Sequence, residues 1–473
     1  MNEKAKNHFD VIVIGAGPGG YVAAIRAAQC GKSVAIVEKQ SSLGGTCLNW
    51  GCIPSKALLD STEHFHQAKH SFDVHGIKIS GKISADIKQM MKRKEDVVKS
   101  TTQGIDYLMS KNKITVFEGL GSFLDTSTLE ISKDKKSEIV TADNFIIATG
   151  SSVATLPFLP LDGERIISSN EAISLTEIPK HLVVIGGGVI GVELGSVYAR
   201  LGSKVSVVEF ADRLIPGMDK DLGKALERSL KKQLGMEFHF KTKVTAAKRK
   251  GKKVLVTAEN DKGEALTIDC DYVLVAIGRK PNTDGLGLDK IAVSCDERGR
   301  IPVNDLFQTK HPNIYAIGDV IKGPMLAHKA SEEGVVCAEV IAGKKAHLNY
   351  DAIPGVVYTW PEVAAVGKTE EELKADNIAY KVGKFPFKAS GRARAAEESE
   401  GFVKVYSSKE SDEILGVHMI GPRAADMIAE ATLAIEYRAS AEDVGMMVHP
   451  HPTFTEALKE AALDATDKRP IHI

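Results

Sequence analysis

Two cysteines five positions apart, Cys47 and Cys52, are the residues whose types and spacing most clearly suggest chemistry in this chain of 473 residues. A glycine pair precedes them and Pro54-Ser55-Lys56 follows; proline suits the first turn of a helix because its missing N–H costs nothing there. The positive end of a helix dipole favours a thiolate, which predicts a lowered cysteine pKa. A disulfide across so short a loop would stabilise the fold little through chain entropy, so the pair predicts a reducible, catalytic bond. Two unpaired core cysteines are the alternative.

A second cluster that could do chemistry lies near the end of the chain, where His449-Pro450-His451-Pro452 is followed by Glu456. A histidine titrates near neutral pH and can exchange a proton with a thiol. A carboxylate about one turn later can hold the imidazole ring and stabilise its cation. Together with the cysteine pair, the cluster predicts an acid–base site, whereas a His-Pro-His-Pro run by itself is more typical of a rigid surface turn.

The elements that must position the cysteines begin with an apolar strand at residues 9–14. It runs into the turn Gly15-Ala16-Gly17-Pro18-Gly19-Gly20, a helix to Cys30 and a second strand at 33–37 that ends at Glu38. The glycines would let the backbone approach a pyrophosphate, and the helix N-terminus would offset part of its charge. With both strands and the acid in place, this layout predicts a dinucleotide-binding unit.

The same layout returns after Pro179, with a strand at 181–185, a glycine turn at 186–191 and a second acid, Glu209. The offset between the first glycine and the acid is the same as in the first unit. An internal repeat of this kind predicts two Rossmann-like domains and two dinucleotide sites. Two such folds with only one site in use are the alternative. From about Tyr350 the texture changes to alternating strands and a long helix, which predicts an α+β terminal domain.

The composition excludes several classes of function. Lys and Arg number 61 against 62 Asp and Glu, so a net charge of −1 gives no general attraction to nucleic acid. No apolar run is long enough to span a bilayer, and the cysteines outside the pair lack metal-ligand spacing. The first eight residues show neither an apolar signal core nor an arginine-rich amphipathic pattern. These features predict a cytoplasmic protein with no metal site and with neither nucleic acid nor membrane among its partners.

From end to end the chain resembles the flavoprotein disulfide reductases, which are pyridine nucleotide-disulfide oxidoreductases. The resemblance rests on residues 44–56, 20–29, Gly318-Asp319 and 449–456. It implies an α/β fold with two Rossmann-like dinucleotide-binding domains and a C-terminal α+β dimerisation domain. The implied domains are 1–150 for FAD binding and the redox disulfide, 151–282 for NAD binding, 283–349 for completing the FAD site, and 350–473 for dimerisation.

Within that family, the resemblance implies an enzyme that oxidises protein-bound dihydrolipoamide and reduces NAD⁺ to NADH through a redox disulfide and FAD. Cys47 would exchange with the substrate, and Cys52 would stand against the flavin. His451 would act as a base oriented by Glu456. Implied partners are lipoylated carrier domains and the core acyltransferase of 2-oxoacid dehydrogenase complexes, with the chain itself a homodimer. The implied cofactor-binding residues are Gly15, Gly17, Gly20, Glu38, Lys56, Gly119, Thr149, Gly150, Gly186, Gly188, Gly191, Glu193, Glu209, Gly278, Asp319 and Ala327.

Three rival functions make different demands on the sequence. A glutathione-reductase-like, NADPH-dependent disulfide reductase would use the same cysteines but should carry basic residues for the 2′-phosphate, where this chain has Glu209 followed by Phe210 and Ala211. A soluble transhydrogenase would lack the cysteine pair. A structural or regulatory flavin-binding subunit would not need the pair together with a histidine and a carboxylate.

Overall fold

The structure is a computed structural model that describes residues 7–472. The first six residues, which belong to the stretch without a targeting pattern, lie outside the described part, as do the outer ends of the predicted domains 1–150 and 350–473. The strands are, in chain order, β1 (His8–Ile14), β2 (Val34–Glu38), β3 (Thr115–Glu118), β4 (Leu120–Phe123), β5 (Thr128–Lys133), β6 (Lys136–Ile147), β7 (Ser151–Val153), β8 (Ile166–Ile167), β9 (His181–Ile185), β10 (Lys204–Val208), β11 (Glu237–His239), β12 (Thr242–Lys250), β13 (Lys253–Asn260), β14 (Ala265–Cys270), β15 (Tyr272–Val275), β16 (Arg279–Pro281), β17 (Ile314–Ala316), β18 (Gly355–Val357), β19 (Glu362–Gly367), β20 (Tyr380–Pro386), β21 (Phe402–Ser408) and β22 (Ile414–Gly421).

The α-helices connect these strands and cover the sheets. They are α1 (Pro18–Gln29), α2 (Gly45–Trp50), α3 (Cys52–His70), α4 (Ile87–Lys111), α5 (Ser169–Ala172), α6 (Val189–Arg200), α7 (Lys220–Leu234), α8 (Ala327–Ile341), α9 (Glu370–Ala375), α10 (Gly391–Ala395), α11 (Ala424–Glu436), α12 (Ala441–Met446) and α13 (Glu456–Asp467). Within residues 7–472, no helix is both long enough and apolar enough to cross a bilayer.

The chain packs into two compact units, each built from three segments. The first contains Met1–Ala57, Lys88–Ala154 and Gly278–Leu348, and the second contains Leu58–Ile87, Thr155–Ile277 and Asn349–Ile473. The predicted division into four consecutive domains stays a prediction.

The first unit is organised around a sheet in the order β3-β2-β1-β6-β5-β4, with β17 also paired to β6. Strands β2, β1, β6 and β17 run parallel, so β1 lies at its centre. Residues Val11–Val13 are fully buried, as expected for a parallel strand covered on both faces. Because β17 joins this sheet, the turn at Gly318 that follows it reaches the same edge as the Gly15 turn after β1.

The second unit holds a parallel sheet in the order β11-β10-β9-β15-β8, a three-stranded antiparallel sheet β12-β13-β14, and an antiparallel sheet β18-β19-β22-β21-β20. The last sheet and helices α11 and α13 bury a common apolar core. The predicted α/β fold with two Rossmann-like sheets and an α+β terminal domain is therefore confirmed. The sheet β12-β13-β14 was not predicted, because most residues of β12 are polar: its buried Thr242 and Val244 alternate with exposed polar residues, and lysines follow.

Candidate active site

The cysteine pair lies where two helices meet end to end. Cys47 is inside the short helix α2, and Cys52 is the first residue of the 19-residue helix α3. Gly51 between the helices is necessary, because a Cβ there would approach the Thr46 carbonyl oxygen to 2.7 Å. The two thiols are within hydrogen-bonding contact of each other, with Cys47 half-buried and Cys52 exposed. The predicted proximity of a disulfide-forming pair is confirmed.

The surroundings of Cys47 raise its proton affinity. The hydrogen bond to Cys52 raises the pKa of Cys47 above the ordinary thiol value, burial raises it further, and the nearby Lys56 charge opposes both. The direction is opposite to the lowering predicted from a helix N-terminus, because Cys47 lies within α2 and shares its proton with a neighbouring sulfur. Cys52 is the sulfur that occupies the N-terminus of the longer helix.

The helix that carries Cys47 is packed directly on the first glycine turn. The Gly44 N–H donates to the Ala16 carbonyl at 2.8 Å. Gly45 has φ +57°, and a Cβ there would lie 2.6 Å from the Cα of Gly17. A redox-active pair and a dinucleotide turn are thus held together by backbone contacts within one unit.

The two glycine turns have the same three-part geometry. Gly15 and Gly186 adopt φ +101° and +107°, and a Cβ on either would meet, at 2.4 Å, the carbonyl oxygen of the residue that directly follows a neighbouring strand. A Cβ on Gly20 or Gly191 would meet the first glycine's carbonyl, at 1.8 and 2.1 Å. These four positions need glycine for the fold itself.

The middle glycine of each turn differs from its neighbours. A Cβ on Gly17 would have its nearest atom at 3.9 Å, and one on Gly188 would have none within 4 Å. Both are N-caps of helices, with extended φ of −69° and −76°. The space left open in front of a helix N-terminus fits a pyrophosphate group.

The acids after the second strands are held alike in both units. The Glu38 carboxylate accepts hydrogen bonds from the N–H groups of Ala16 and Gln40, at 2.8 and 2.9 Å. The Glu209 carboxylate accepts from the N–H groups of Gly187 and Ala211. Beside Glu38 lies a cleft of about 300 Å³ whose walls include Leu43, Met109, Val116 and Phe117. A cleft with both apolar and polar walls, beside the acid predicted to bind a ribose, fits the adenosine half of FAD.

Most other predicted cofactor residues also lie in the first unit. The Gly119 N–H donates to the Glu38 carbonyl at 2.8 Å, and the Thr149 hydroxyl donates to the Asn282 carbonyl at 2.6 Å. Gly150 and Gly278 have φ of +70° and +124° with open space beside them, and Ala327 is the first residue of α8.

Glu193 belongs to the second unit, where it is buried and accepts from the Tyr358 N–H at 2.8 Å. Its predicted pairing with Lys56 stays a prediction, as do the cofactor roles of all these residues.

Two functional candidates, Arg279 and Ser151, were missed by sequence reasoning. Arg279 Nε donates to the Ser151 hydroxyl at 2.7 Å, and that hydroxyl donates to the Asp319 carboxylate. A second guanidinium nitrogen lies 3.3 Å from the Thr46 hydroxyl, next to Cys47. Burial lowers the pKa of Arg279, while the charges of Asp319 and Cys52 oppose that shift. In the sequence, Arg279 lies near the end of the predicted NAD-binding domain 151–282, and no local pattern marked it as functional.

The histidine cluster lies in the second unit and contains two different sites. His451 Nδ1 lies 2.8 Å from Glu456 Oε1, and the His451 side chain is 79% exposed. Burial tends to raise the pKa of Glu456, but hydrogen bonds from the Thr453 N–H and the His451 ring hold it below the usual value. The predicted histidine–carboxylate contact is present, with the carboxylate ionised and the ring accessible.

His449 is the buried member of the same run. Its Nε2 lies 2.8 Å from Glu430 Oε1 on α11, and its Nδ1 lies 3.1 Å from the Met447 carbonyl. The hydrogen bond to Glu430 raises the pKa of His449. These two hydrogen bonds give His449 a structural role. In the described residues, no group of three or more His, Cys, Asp or Glu side chains is arranged to hold a metal ion.

Comparison with known proteins identifies the class. The family described as pyridine nucleotide-disulphide oxidoreductase matches residues 9–334, and its dimerisation domain matches residues 353–462. The chain belongs to this family, and the second match indicates a homodimer. It is an oxidoreductase of a family whose dihydrolipoyl dehydrogenases use FAD and NAD(H), as predicted.

Within the class, the chain is similar to dihydrolipoyl dehydrogenases. It is 53% identical to dihydrolipoyl dehydrogenase 1, mitochondrial, from Arabidopsis thaliana, over 98% of this chain and 91% of that protein. It is 52% identical to the mitochondrial dihydrolipoyl dehydrogenase of Pisum sativum, over 98% of this chain and 92% of that protein. The crystal structure of LpdA from Mycobacterium tuberculosis is similar with a TM-score of 0.88 and 27% identity, covering 96% of this chain and 99% of that one.

The predicted cytoplasmic location is wrong. Both plant relatives are named as mitochondrial proteins, which points away from the cytoplasm. The prediction relied on the N-terminal composition and on reduced cysteines. Because a reducing environment is not unique to the cytoplasm, cysteine usage in the folded domains does not distinguish it from another reducing compartment.

Proposed function

We propose that this chain works as a dihydrolipoyl dehydrogenase, oxidising protein-bound dihydrolipoamide and reducing NAD⁺ to NADH. The observation that carries the proposal is the 2.8 Å hydrogen bond from Gly44 to Ala16, which joins the cysteine pair to the first dinucleotide turn. A dithiol and a flavin must be adjacent for an electron pair to pass between them, and this contact supports that arrangement. The sequence identity of 52% to 53% with two dihydrolipoyl dehydrogenases supports dihydrolipoamide as the substrate.

The residues for each cofactor follow from the two turns. FAD would be held by the turn at Gly15–Gly20, by Glu38 and by Asp319, while NAD⁺ would be held by the turn at Gly186–Gly191 and by Glu209. When bound, FAD supplies two-electron chemistry that links a dithiol to a nicotinamide. The open space at Gly17 and Gly188 and the cleft beside Glu38 fit these two groups.

The cysteines carry out thiol–disulfide exchange with the lipoyl group. With Cys47 and Cys52 joined as a disulfide, one dihydrolipoyl thiolate attacks the Cys47 sulfur and releases Cys52 as a thiolate. The second lipoyl thiol then displaces Cys47, which closes the lipoyl disulfide and leaves the enzyme with two reduced sulfurs. Two electrons pass from substrate to enzyme. The raised pKa of Cys47 favours its protonated form once exchange is complete.

His451 and Glu456 manage the protons of this exchange. An exposed imidazole can take the proton from the attacking lipoyl thiol and later return it to a cysteine. Glu456 remains ionised because its pKa is held low, so it can orient Nδ1 and stabilise the imidazolium. By family resemblance, the partner's His451 serves the Cys47–Cys52 pair across the dimer.

The partners proposed for the dimer are lipoylated carrier domains and the core acyltransferase of a 2-oxoacid dehydrogenase complex. A lipoyl group on a mobile carrier has to reach Cys47, the sulfur that it attacks, and Cys47 is only partly buried. A pull-down with the purified dimer, followed by detection of lipoylated proteins, tests this part of the proposal. Recovery of no lipoylated protein would contradict it.

The direct test compares two substrate pairs on purified, yellow protein. Dihydrolipoamide with NAD⁺ should give rapid NADH formation, and a Cys47→Ser variant should abolish it. Glutathione disulfide with NADPH should give little turnover. The opposite preference would establish a glutathione-reductase-like enzyme instead.

A further inference from the structure

Two oppositely charged side chains on α8 are completely buried. Lys329 Nζ lies 2.8 Å from Glu333 Oε1, one helical turn apart, and both side chains have no solvent exposure. Removing an ion pair from water is costly, and a hydrophobic pair of similar size often stabilises a fold at least as well. Their burial therefore points to a task beyond holding α8 in place.

Lys329 and Glu333 hydrogen-bond to both backbone polar groups of Gly318, its N–H and its carbonyl. Glu333 Oε2 accepts from the Gly318 N–H at 2.7 Å, and Lys329 Nζ donates to the Gly318 carbonyl at 3.0 Å. Gly318 has φ +75°, in the left-handed region that glycine tolerates. Hydrogen bonds to charged groups are stronger than neutral ones, so this turn after β17 is firmly fixed.

The residue positioned by these two hydrogen bonds is Asp319. Its carboxylate accepts from the Ser151 hydroxyl, which in turn accepts from Arg279. The backbone of Asp319 is thus set by α8, and its side chain is set from β7 and β16. Two buried charges therefore hold the backbone of the residue that precedes Asp319.

Helix α8 is also fitted closely to α1, the helix that begins at the first glycine turn. A Cβ on Gly19 would meet the Ala330 carbonyl at 3.0 Å, and a Cβ on Gly334 would meet the Gly19 carbonyl at 2.6 Å. The Gly318 turn and the Gly15–Gly20 turn are therefore both held by the closely packed helix pair α1 and α8.

We propose that Lys329 and Glu333 are positioning residues for FAD, which fix the Gly318–Asp319 turn so that the Asp319 carboxylate meets the ribityl or phosphate groups of the cofactor. The inference rests on the proposed function for the identity of the ligand. Neither residue needs to touch the cofactor. They act through Gly318, and Arg279 and Ser151 complete the alignment.

The test measures the rate at which FAD leaves the holoenzyme, followed as free-flavin fluorescence after dilution into a chaotropic salt. The double variant Lys329→Met/Glu333→Leu removes both charges at similar volume, so no unpaired buried charge remains. FAD release should accelerate about tenfold or more, because two charge-assisted hydrogen bonds to the turn are lost. The matched control is Lys231→Met/Glu227→Leu, an exposed pair with the same spacing and a 2.6 Å contact, which should release FAD at the wild-type rate.

A purely structural role is separated by combining the double variant with Asp319→Ala. If the pair acts through Asp319, the combined variant should release FAD no faster than Asp319→Ala alone. Multiplied effects, or wild-type release by the double variant, would overturn the inference. If the double variant does not yield folded holoenzyme, Lys329→Met/Glu333→Gln decides, with unchanged release again counting against the pair. Release is read without turnover, so a wild-type protein inactive towards dihydrolipoamide would overturn the proposed function and leave this result standing.

Discussion

The two sulfurs of the redox pair are chemically distinct although they are only five residues apart. Cys47 is half-buried and keeps its proton because it is hydrogen-bonded to its neighbour, whereas Cys52 is exposed and begins a long helix. This asymmetry is what a two-step exchange requires, since one sulfur must leave as a thiolate while the other bonds to the substrate.

Replacement of Cys52 by serine should separate thiol chemistry from nicotinamide chemistry. We expect Cys52→Ser to abolish dihydrolipoamide oxidation and the long-wavelength absorbance that a thiolate beside a flavin gives in the reduced enzyme. Electron transfer from NADH to an artificial dye should persist. The matched control is Cys295→Ser, a half-buried cysteine packed against the core, which should retain both activities. Full dihydrolipoamide activity in Cys52→Ser would disprove the redox assignment.

Glu209 should make the enzyme select NAD⁺ over NADP⁺. Its carboxylate is fixed by the N–H groups of Gly187 and Ala211, so it cannot easily turn away from a 2′-phosphate. Two partly desolvated anions repel by a few kcal/mol, which corresponds to a preference of at least about a hundredfold in kcat/KM. Steady-state kinetics with NAD⁺ and NADP⁺ measures this preference, and Glu209→Gln should reduce the ratio of the two kcat/KM values. Equal use of both nucleotides by the wild type would remove the argument.

Glu362 should make the fold less stable as pH rises. Burial raises its pKa to about 6, although the Ala425 N–H donates to the carboxylate at 2.9 Å. The folded state therefore holds a proton that the unfolded state releases from about pH 4.5 upwards, and stability falls between those two pKa values. Glu362→Gln should gain stability progressively from pH 5 to pH 8, reaching about 2 kcal/mol. Denaturant unfolding at both pH values measures this; a gain independent of pH would show that ionisation is not the cause.

At the scale of elements, the two glycine turns combine positions that serve the fold with one that serves the ligand. The first and third glycines meet backbone atoms, and only the middle one faces open space. The sequence pattern treats all three alike, since spacing alone does not show what surrounds each Cα.

Alanine at two positions of the second turn should have opposite consequences. Gly188→Ala should keep the fold and bound FAD but weaken NAD⁺ binding strongly, because the new methyl group occupies the open space before α6. Gly191→Ala should yield unstable protein, since its Cβ would lie 2.1 Å from the Gly186 carbonyl. Flavin content, thermal unfolding and NAD⁺ titration distinguish them. Unimpaired NAD⁺ binding in Gly188→Ala would contradict the assignment of this turn.

The predictability of the elements depended on how completely they are buried. The strand 181–185 was predicted with its observed bounds because a parallel strand covered on both faces is mostly apolar. The sheet β12-β13-β14 was missed because one face is solvated. The residues that hold Asp319, namely Ser151, Arg279, Lys329 and Glu333, are brought together from distant segments. No local pattern could reveal them.

At the scale of the molecule, the proposed catalytic residues are divided between the beginning and the end of the chain. The cysteines belong to the first unit, and His451 and Glu456 belong to the second, within the region that matches a dimerisation domain. An isologous two-fold dimer brings one patch of a chain against the complementary patch of its partner. The division therefore agrees with a site completed by two chains.

Mixed dimers should reveal a site shared between chains. Cys47→Ser and His451→Ala, each inactive alone, would be unfolded and refolded together. If catalysis needs residues from both chains, each mixed dimer has one intact site, and random pairing restores about a quarter of wild-type activity. Refolding each variant separately is the control. Activity at background after mixing would show that each histidine serves its own chain.

Helix α2 ends at Trp50, one of only two tryptophans in the chain, and this residue lies between the two cysteines in the sequence. Indole emission is sensitive to nearby sulfur and to the polarity around the ring, both of which change when a disulfide opens. Replacing Trp360 with phenylalanine would leave Trp50, which lies between Cys47 and Cys52 in the sequence, as the single tryptophan. The protein thus carries an intrinsic optical reporter, with which the oxidation state of the pair could be followed in real time and without a label.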